Sequence, residues 1–371
     1  MRIVARNVHT ALPEALFKVR HHGLPEDSRN GPVYVLPVPV DTLYTHPTER
    51  VLFWSQRDAN PFFHFFEGLW MIEGRNDVAF LTQFAKQIAQ YSDDGKTFHG
   101  AYGQRWRYRF NEDQLSWIIK RFKANPNDRR IVLTMWDPNI DIRCADMDGK
   151  DVPCNTQIYF RISKYEGKTC LNMKVNCRSN DILWGAYGAN AVHLSMLQEY
   201  LALNIGVEVG WYIQSSFNWH AYKDFLDKVL GRPKQFPKTE ADDLTYHAMQ
   251  QTQTVVSPYE VETSERPKVE AFKMIEDPER WEEDIATFFA IQDGLGEEGL
   301  FHEPFFKSVA LPLLTAHRCY KLGNYDDAFR NLEQCHASDW RIAAREWLQR
   351  RQLRSQSAYK ANMDSAASSG S

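Results

Sequence analysis

The sequence predicts an α/β (α+β) fold with a helical carboxy-terminal extension, and three observations carry that expectation. Between Cys170 and Arg178, apolar Leu171, Met173, Val175 and Cys177 alternate with polar Asn172, Lys174, Asn176 and Arg178, the period of a half-buried strand. Helical spacing lies on both sides of that strand, in Leu115, Ile118, Ile119 and Phe122 and again in Val192, Met196, Leu197, Tyr200 and Leu201. Beyond residue 263 the patterns are helical alone. Residues 1–262 are thus expected to form one α/β unit, 263–362 a helical extension, and 363–371, rich in Ser and Ala, a disordered tail.

Composition bounds the rest. A chain of 371 residues with 43% hydrophobic and 25% charged residues is ordinary globular protein. The net charge of -4 argues against a general nucleic-acid coat, and Arg350 to Arg354 is the one short basic run. No apolar stretch approaches the roughly 18 residues of a membrane span, and the start lacks a leader-like apolar core, so the expectation is a cytoplasmic protein with no membrane partner. Six cysteines (Cys144, Cys154, Cys170, Cys177, Cys319, Cys335) are scattered without zinc spacing, which predicts reduced thiols and no metal.

Taken in order, Ala11 to Val51 mixes a short helix with a loop, Pro25 to Pro32, that precedes the strand-like VYVLPVPV. Pro61 to Ile88 reads as helix dense in aromatics, where Glu67 is costly to ionise unless hydrogen-bonded. Gln114 to Ala124 is helical and stops at Asn125-Pro126-Asn127-Asp128, and Ile131 to Trp136 then reads as a strand, with Arg129 and Arg130 between. Cys154 follows Pro153 and precedes polar Asn155, Thr156 and Gln157, poor partners for an inert core thiol. At the end of the Cys170 strand, Arg178 and Ser179 offer a planar donor fork and a short hydroxyl, the donors a phosphate dianion takes; an Arg there also serves as a surface ion pair. A Gly-rich turn leads to Asn190, which opens a helix, and Val209 to Phe217 reads as a strand delivering His220 and Tyr222 to one face. After Gly231-Arg232-Pro233 a polar segment, Lys238 to Lys268, leads to helices at Trp281–Gln292, Phe305–Tyr320, Tyr325–Cys335 and Asp339–Gln352. The run around Gly323 resembles one hairpin of a tetratricopeptide array, but one unit does not make a repeat domain. The extension reads as a packing or partner element with no chemistry of its own.

The ordered segments PCNTQIYF, NCRSND, a Gly turn into Asn190, and HAY resemble the thymidylate synthase and nucleotide hydroxymethylase superfamily. Upstream, Phe66-Glu67-Gly68-Leu69-Trp70 with Gly74-Arg75-Asn76 resembles that family's Glu-Leu-Leu-Trp helix. Ala101-Tyr102-Gly103-Gln104-Arg105-Trp106-Arg107 resembles its Val-Tyr-Gly-x-Gln-Trp-Arg segment, and Asp128-Arg129-Arg130-Ile131 its Arg pair. Seven ordered motifs over about 200 residues are specific where each alone is weak. The chain departs from the pattern by one extra residue between Gly185 and Asn190 and by a longer link, Ile140 to Lys150, before the cysteine.

The resemblance implies a mixed sheet packed with helices, with residues 1–262 as the catalytic domain. It implies a pyrimidine nucleoside monophosphate as substrate, 5,10-methylenetetrahydrofolate as co-substrate, and a homodimer. In that scheme Cys154 is the nucleophile, Glu67 the general acid/base acting through water, and Tyr102 an organiser of that water. Asp181, also among the catalytic residues, contacts the folate pterin and orders water. Arg29, Arg178 and Ser179 take the phosphate, with Arg129 and Arg130 reaching the neighbouring subunit's site, and His220 and Tyr222 take the sugar 3′-hydroxyl. Asn190 can donate and accept at once, matching N3–H and O4 of uracil, whereas family members that take cytosine commonly carry Asp there. Arg178 beside the thiol is expected to lower its pKa.

Thiolate addition at C6 activates C5, and the resulting exocyclic methylene then takes hydride, giving methyl, or water, giving hydroxymethyl. The family's methylating enzymes shield that intermediate with a Trp after the Glu helix and with a closing tail. Here no Trp lies between Asn76 and Tyr102, only Tyr91, the carboxy-terminus is displaced, and Asn155 stands where methylating members have His. The expectation is therefore a hydroxymethylase acting on dUMP, of the kind that serves phage DNA modification in the host cytoplasm. Action on dCMP, methylation to dTMP, and a silent nucleotide-binding scaffold remain as alternatives.

Overall fold

An eight-stranded mixed sheet organises the chain, which in this computed structural model is described over residues 1–147, 149–230, 256–264, 266–295 and 301–369. Its strands are β1 (Arg2–Ala5), β2 (Leu24–Ser28), β3 (Gly31–Val35), β4 (Val40–Tyr44), β5 (Val132–Thr134), β6 (Asn155–Tyr165), β7 (Lys168–Asp181) and β8 (Glu208–Tyr222). The spatial order is β1-β4-β8-β7-β6-β5, with β3 also on β8 and β2 on β3. β6 and β7 are antiparallel, joined through Glu166 and Gly167 at φ 51 and 80, the left-handed pair that lets a two-residue turn follow the strand twist. β7 and β8 are parallel, so the chain must cross over between them, and helix α7 (Asn190–Ile205) does so.

The expected alternation in β7 holds at Leu171, Met173, Val175 and Cys177, all buried, but Asn172 on the opposite face is buried too. Its amide donates to Ser163 Oγ at 2.7 Å and accepts from Trp211 N at 3.2 Å, filling a register shift between β7 and β8. β7 and β8 also run further than expected, to Asp181 and Tyr222, so that Asp181 pairs in register with His220. The one-residue insertion before Asn190 falls in the turn Ile182–Ala189, which reaches α7 across a kink at Tyr187 and Gly188, where the backbone is not helical.

The remaining helices of this part are α1 (Val8–His22), α2 (Pro61–Glu73), α3 (Val78–Thr82), α4 (Tyr102–Arg107), α5 (Gln114–Ala124), α6 (Asp141–Asp146) and α8 (Lys223–Leu230). The single helix expected over Pro61 to Ile88 is broken: Gly74, at φ 84, caps α2, and Asp77 starts α3 by accepting from Phe80 N. The expected loop Pro25–Pro32 is instead the β2–β3 hairpin, with Arg29 and Asn30 at its tip. The longer link Ile140 to Lys150 contains α6, whose Asp141 is buried against Arg105 at 2.8 Å.

The extension forms α9 (Pro278–Gln292), α10 (Leu311–Lys321), α11 (Tyr325–Leu332) and α12 (Ser338–Ser369), with Gly323 at φ 78 between α10 and α11. α12 runs on through most of the stretch expected to be a tail, 363–371. The Gly231-Arg232-Pro233 stop and most of the polar segment Lys238–Lys268 lie outside the described residues. Contacts cross the 262/263 boundary freely. Phe62 packs on Trp347 at 5.8 Å, Phe65 on Trp340 at 5.1 Å and Phe305 at 5.5 Å, and Phe66 on Phe288 at 6.2 Å. Among the described residues no helix is long and apolar enough to cross a membrane.

Candidate active site

Cys154 sits just before β6, half-buried, with Pro153 fixing the backbone ahead of it. Across the sheet Arg178 N donates to Cys154 O at 2.9 Å, while the Arg178 side chain donates to Pro153 O and Val152 O, both at 2.9 Å. Nη2 stands 4.0 Å from the Cys154 sulfur. The expectation that Arg178 brings the thiol pKa down needs correcting: burial pushes it up and outweighs Arg178, whose pull has the expected direction. Two carbonyls also occupy part of the guanidinium fork expected to hold phosphate.

Glu67 comes from α2 into the same region. Burial, and after it the charge of Asp151, raises its pKa to about 8, so at neutral pH the carboxyl carries its proton. Behind it, His193 Nε2 of α7 lies 3.2 Å from Glu67 Oε2 and 3.2 Å from His64 O. Burial lowers His193 to about 3, so the ring is neutral and the contact is a hydrogen bond between uncharged groups. Tyr102 heads α4 and its hydroxyl accepts from Asn155 N at 3.3 Å, one residue from the thiol.

The far ends of β7 and β8 supply the second half. Asp181 Oδ1 accepts from Trp184 N, whereas its buried Oδ2 has no partner. Burial pushes Asp181 up and His220, opposite it, down. His220 Nδ1 meets Asn218 Oδ1 at 2.8 Å, and its ring stands edge-on to Tyr222 at 5.5 Å. Trp184, 51% exposed, stacks on Phe225 at 4.7 Å with Arg57 4.6 Å above its ring.

Asn190, at the start of α7, is buried and held by a directional chain. Its Nδ2 donates to Asn180 Oδ1 at 3.0 Å, Asn180 Nδ2 donates to Ser216 Oγ at 3.1 Å and to Cys177 Sγ at 3.6 Å, and Cys177 Sγ donates to Asn155 Oδ1 at 2.7 Å. With one amide proton committed, Asn190 keeps a second proton and its oxygen for a ligand.

Cys154, Arg178, Tyr102 and Glu67 thus gather at one end of the sheet, with Asp181, His220 and Asn190 at the neighbouring strand ends. Ser179 is half-buried in register with Asn218, and Tyr222 OH accepts from Asn30 at 3.4 Å. Arg29 donates to Gly149 O at 2.9 Å and Lys150 O at 3.2 Å, and its charge favours the Cys154 thiolate. Arg129 and Arg130 stay on the surface, the latter paired with Asp128 at 2.9 Å, and among the described residues neither touches this site. Sequence reasoning missed Asp151, His193, Asn180 and Arg57. Asn180 lay inside the Arg-Ser-Asn-Asp segment, and Asp151 three residues before the cysteine, but neither has a pattern that marks it.

Comparison with known proteins adds a second line. A thymidylate synthase family model matches residues 46–270. The chain is 46% identical over 353 residues to a deoxyuridylate hydroxymethyltransferase of Pseudomonas phage M6, covering 94% of each chain. It is 34% identical over 251 residues to a deoxyuridylate hydroxymethyltransferase of Bacillus phage SP01, covering 65% of this chain and 59% of that one. A putative thymidylate synthase of Methanothermobacter marburgensis is 37% identical over 143 residues, 38% of this chain and 59% of its own.

Proposed function

Because the chain belongs to the thymidylate synthase family, we propose that it converts deoxyuridylate and methylenetetrahydrofolate to 5-hydroxymethyl-deoxyuridylate. The observation that carries this reading is the 46% identity that runs along 94% of both chains, extension included, to a deoxyuridylate hydroxymethyltransferase. Likeness to the archaeal putative thymidylate synthase covers only 38% of the chain.

Cys154 adds through its sulfur to C6 of the uracil, which makes C5 nucleophilic. Arg178 and Arg29 oppose the burial that otherwise holds the thiol protonated. Glu67, protonated below about pH 8, supplies a proton toward O4 as the enolate forms, and Tyr102 steadies the water between them. Asn190 reads N3–H and O4, with Asn180 fixing its amide. Arg29, Arg178 and Ser179 hold the phosphate, Arg129 and Arg130 serve the partner's site in a homodimer, and His220 and Tyr222 bind the sugar. Methylenetetrahydrofolate supplies the one-carbon unit at C5. The residues present suit it: the unpartnered Asp181 Oδ2 awaits a ring N–H donor, and the exposed Trp184 face beside buried Arg57 suits an aromatic, anionic molecule.

Incubation with dUMP and methylenetetrahydrofolate, with the mass of the nucleotide product as readout, tests the proposal. A product heavier than dUMP by CH2O is expected; dTMP with dihydrofolate overturns it. Turnover of dCMP alone would overturn the role given to Asn190.

A further inference from the structure

We propose that Asp151 is the base that delivers water to the exocyclic carbon on C5, and so commits the intermediate to a hydroxymethyl product. The inference rests on the hydroxymethylase reading and adds to it the residue that sets the outcome.

Asp151 closes the longer link before the nucleophile, and three separate stretches anchor that lip. Gly149 O and Lys150 O accept from Arg29, Lys150 N donates to Asp93 Oδ1 at 3.1 Å, and Asp151 Oδ2 accepts from Gly100 N at 2.8 Å. Gly100 lies two residues before Tyr102, whose hydroxyl accepts from Asn155 N. The Gly100–Asp151 and Tyr102–Asn155 bonds therefore bracket Cys154 and fix the carboxylate relative to the sulfur. A side chain at residue 100 would meet Asp151 Oδ1 at 2.8 Å, so glycine keeps this approach open.

Gly100 holds one carboxylate oxygen, and among the described residues no hydrogen bond reaches the other, Oδ1. The charge of Asp151 is felt at Glu67, at Tyr102 and at the Cys154 thiol, which places it among the reacting groups. The alternatives are poorly suited. Glu67 is itself protonated at neutral pH, and Asp181, three residues beyond Arg178 on β7, pairs in register with His220 and already accepts from Trp184 N. Burial raises the Asp151 pKa, which makes it a stronger base than a free Asp.

In this step Asp151 accepts one proton of a water molecule as that O–H bond breaks, and the oxygen bonds to the exocyclic methylene carbon. The electron pair of the exocyclic double bond moves into the ring as the C4 enolate. It then returns to form C5=C6 and expels the Cys154 sulfur from C6 as thiolate, which takes up the proton held by Asp151.

Asp151→Asn keeps an oxygen for Gly100 N but loses the base. With [5-3H]dUMP and methylenetetrahydrofolate, tritium release reports every step up to loss of the C5 proton, and product mass reports the fate of the methylene after that loss. In D151N hydroxymethyl product should fall at least about tenfold more than tritium release, with dTMP taking up the difference. A folate-free readout is exchange of 18O from water into 5-hydroxymethyl-dUMP, which runs the same step backward and forward and should fall by a similar factor. Asp151→Glu, which keeps a carboxylate, should recover part of both, and serves if D151N does not fold. An unchanged ratio of product to tritium release, or equal loss of both, overturns the role of Asp151. Wild-type protein that makes dTMP overturns instead the hydroxymethylase reading on which it rests.

Discussion

Helix α2 meets two environments within about a turn and a half, and they differ in kind. Phe62, Phe65 and Phe66 interlock with Trp347, Trp340, Phe305 and Phe288 of the extension, ring on ring at 5.1 to 6.2 Å. Each such pair contributes about 0.5–1.5 kcal/mol beyond the area it buries. One residue on, Glu67 faces His193 and the charge of Asp151, in surroundings where buried His193 Nδ1, Asp181 Oδ2, Arg57 Nη2 and Asn155 Nδ2 all lack partners. Among the described residues of the extension only the indole nitrogens of Trp281 and Trp347 are left so. Polar atoms held buried and unpaired cost stability, and they recur where a ligand completes them. The aromatic side of α2 offsets that cost and keeps Glu67 dry.

The sharpest way to break this division is at the sulfur. Cys154→Ser should lower turnover by roughly 10⁶-fold, the size of loss seen when a covalent nucleophile is removed, while dUMP binding by calorimetry stays measurable. Retained turnover would move the chemistry elsewhere. Glu67→Gln comes next, with tritium release expected to fall by about 10²–10⁴-fold. Its stability should move the other way. A carboxyl whose folded pKa is raised to about 8 contributes stability that is complete below its ordinary pKa and is lost as pH rises through 8. The Gln variant has no such loss, so it should gain on the wild type from about pH 5 upward, by a few kcal/mol at pH 9 in denaturant melts. Equal stability at both pH values would mean that Glu67 is not held in a dry site.

On the other side of α2, Trp347→Ala should cost about 3–5 kcal/mol of stability, because a ring 4% exposed leaves a cavity against Phe62 and Tyr320. Turnover per folded molecule should change far less. A loss of turnover without loss of stability would give the extension a part in the chemistry.

The same division separates the features legible in the sequence from those that were not. The β7 alternation and the helical spacing of α5 and α7 gave the fold class, since one face of each element had to be apolar, whereas the ordered motifs gave candidate site residues only through their resemblance to the family. The aromatics of α2 marked it as buried, but nothing in their spacing said that residues more than 200 positions later would cover them. The break at Gly74 and the β2–β3 hairpin depend on backbone signs at single residues, which propensity averages away. The thiol pKa went the wrong way because proximity of Arg178 can be guessed from sequence, whereas depth of burial cannot. Asp151 stayed hidden because its place depends on a bond to Gly100, 51 residues away.

The two regions are also tied by ion pairs on the surface, and the smallest expected effect tests one of them. Asp58, at φ 49 in the loop before α2, accepts from Arg350 at 3.0 Å and Arg351 at 2.9 Å of α12, with Arg354 at 3.0 Å. Its neighbour Arg57 donates to Leu183 O at 2.6 Å, beside Asp181 and Trp184. Burial would raise the Asp58 pKa, but hydrogen bonds and charge from Arg351 and Arg350 outweigh it, and the net shift is downward. A depressed carboxylate contributes stability above its ordinary pKa and loses it as pH falls through the lowered value. Asp58→Asn, which tolerates the same left-handed backbone, should therefore cost about 1 kcal/mol at pH 7, discounted for the partial exposure of its partners, and progressively less as the pH falls below the ordinary carboxylate range. A deficit that persists in acid would show that the loop is held by its shape, leaving the arginines of α12 free of any role in seating the extension beside Asp181 and Trp184.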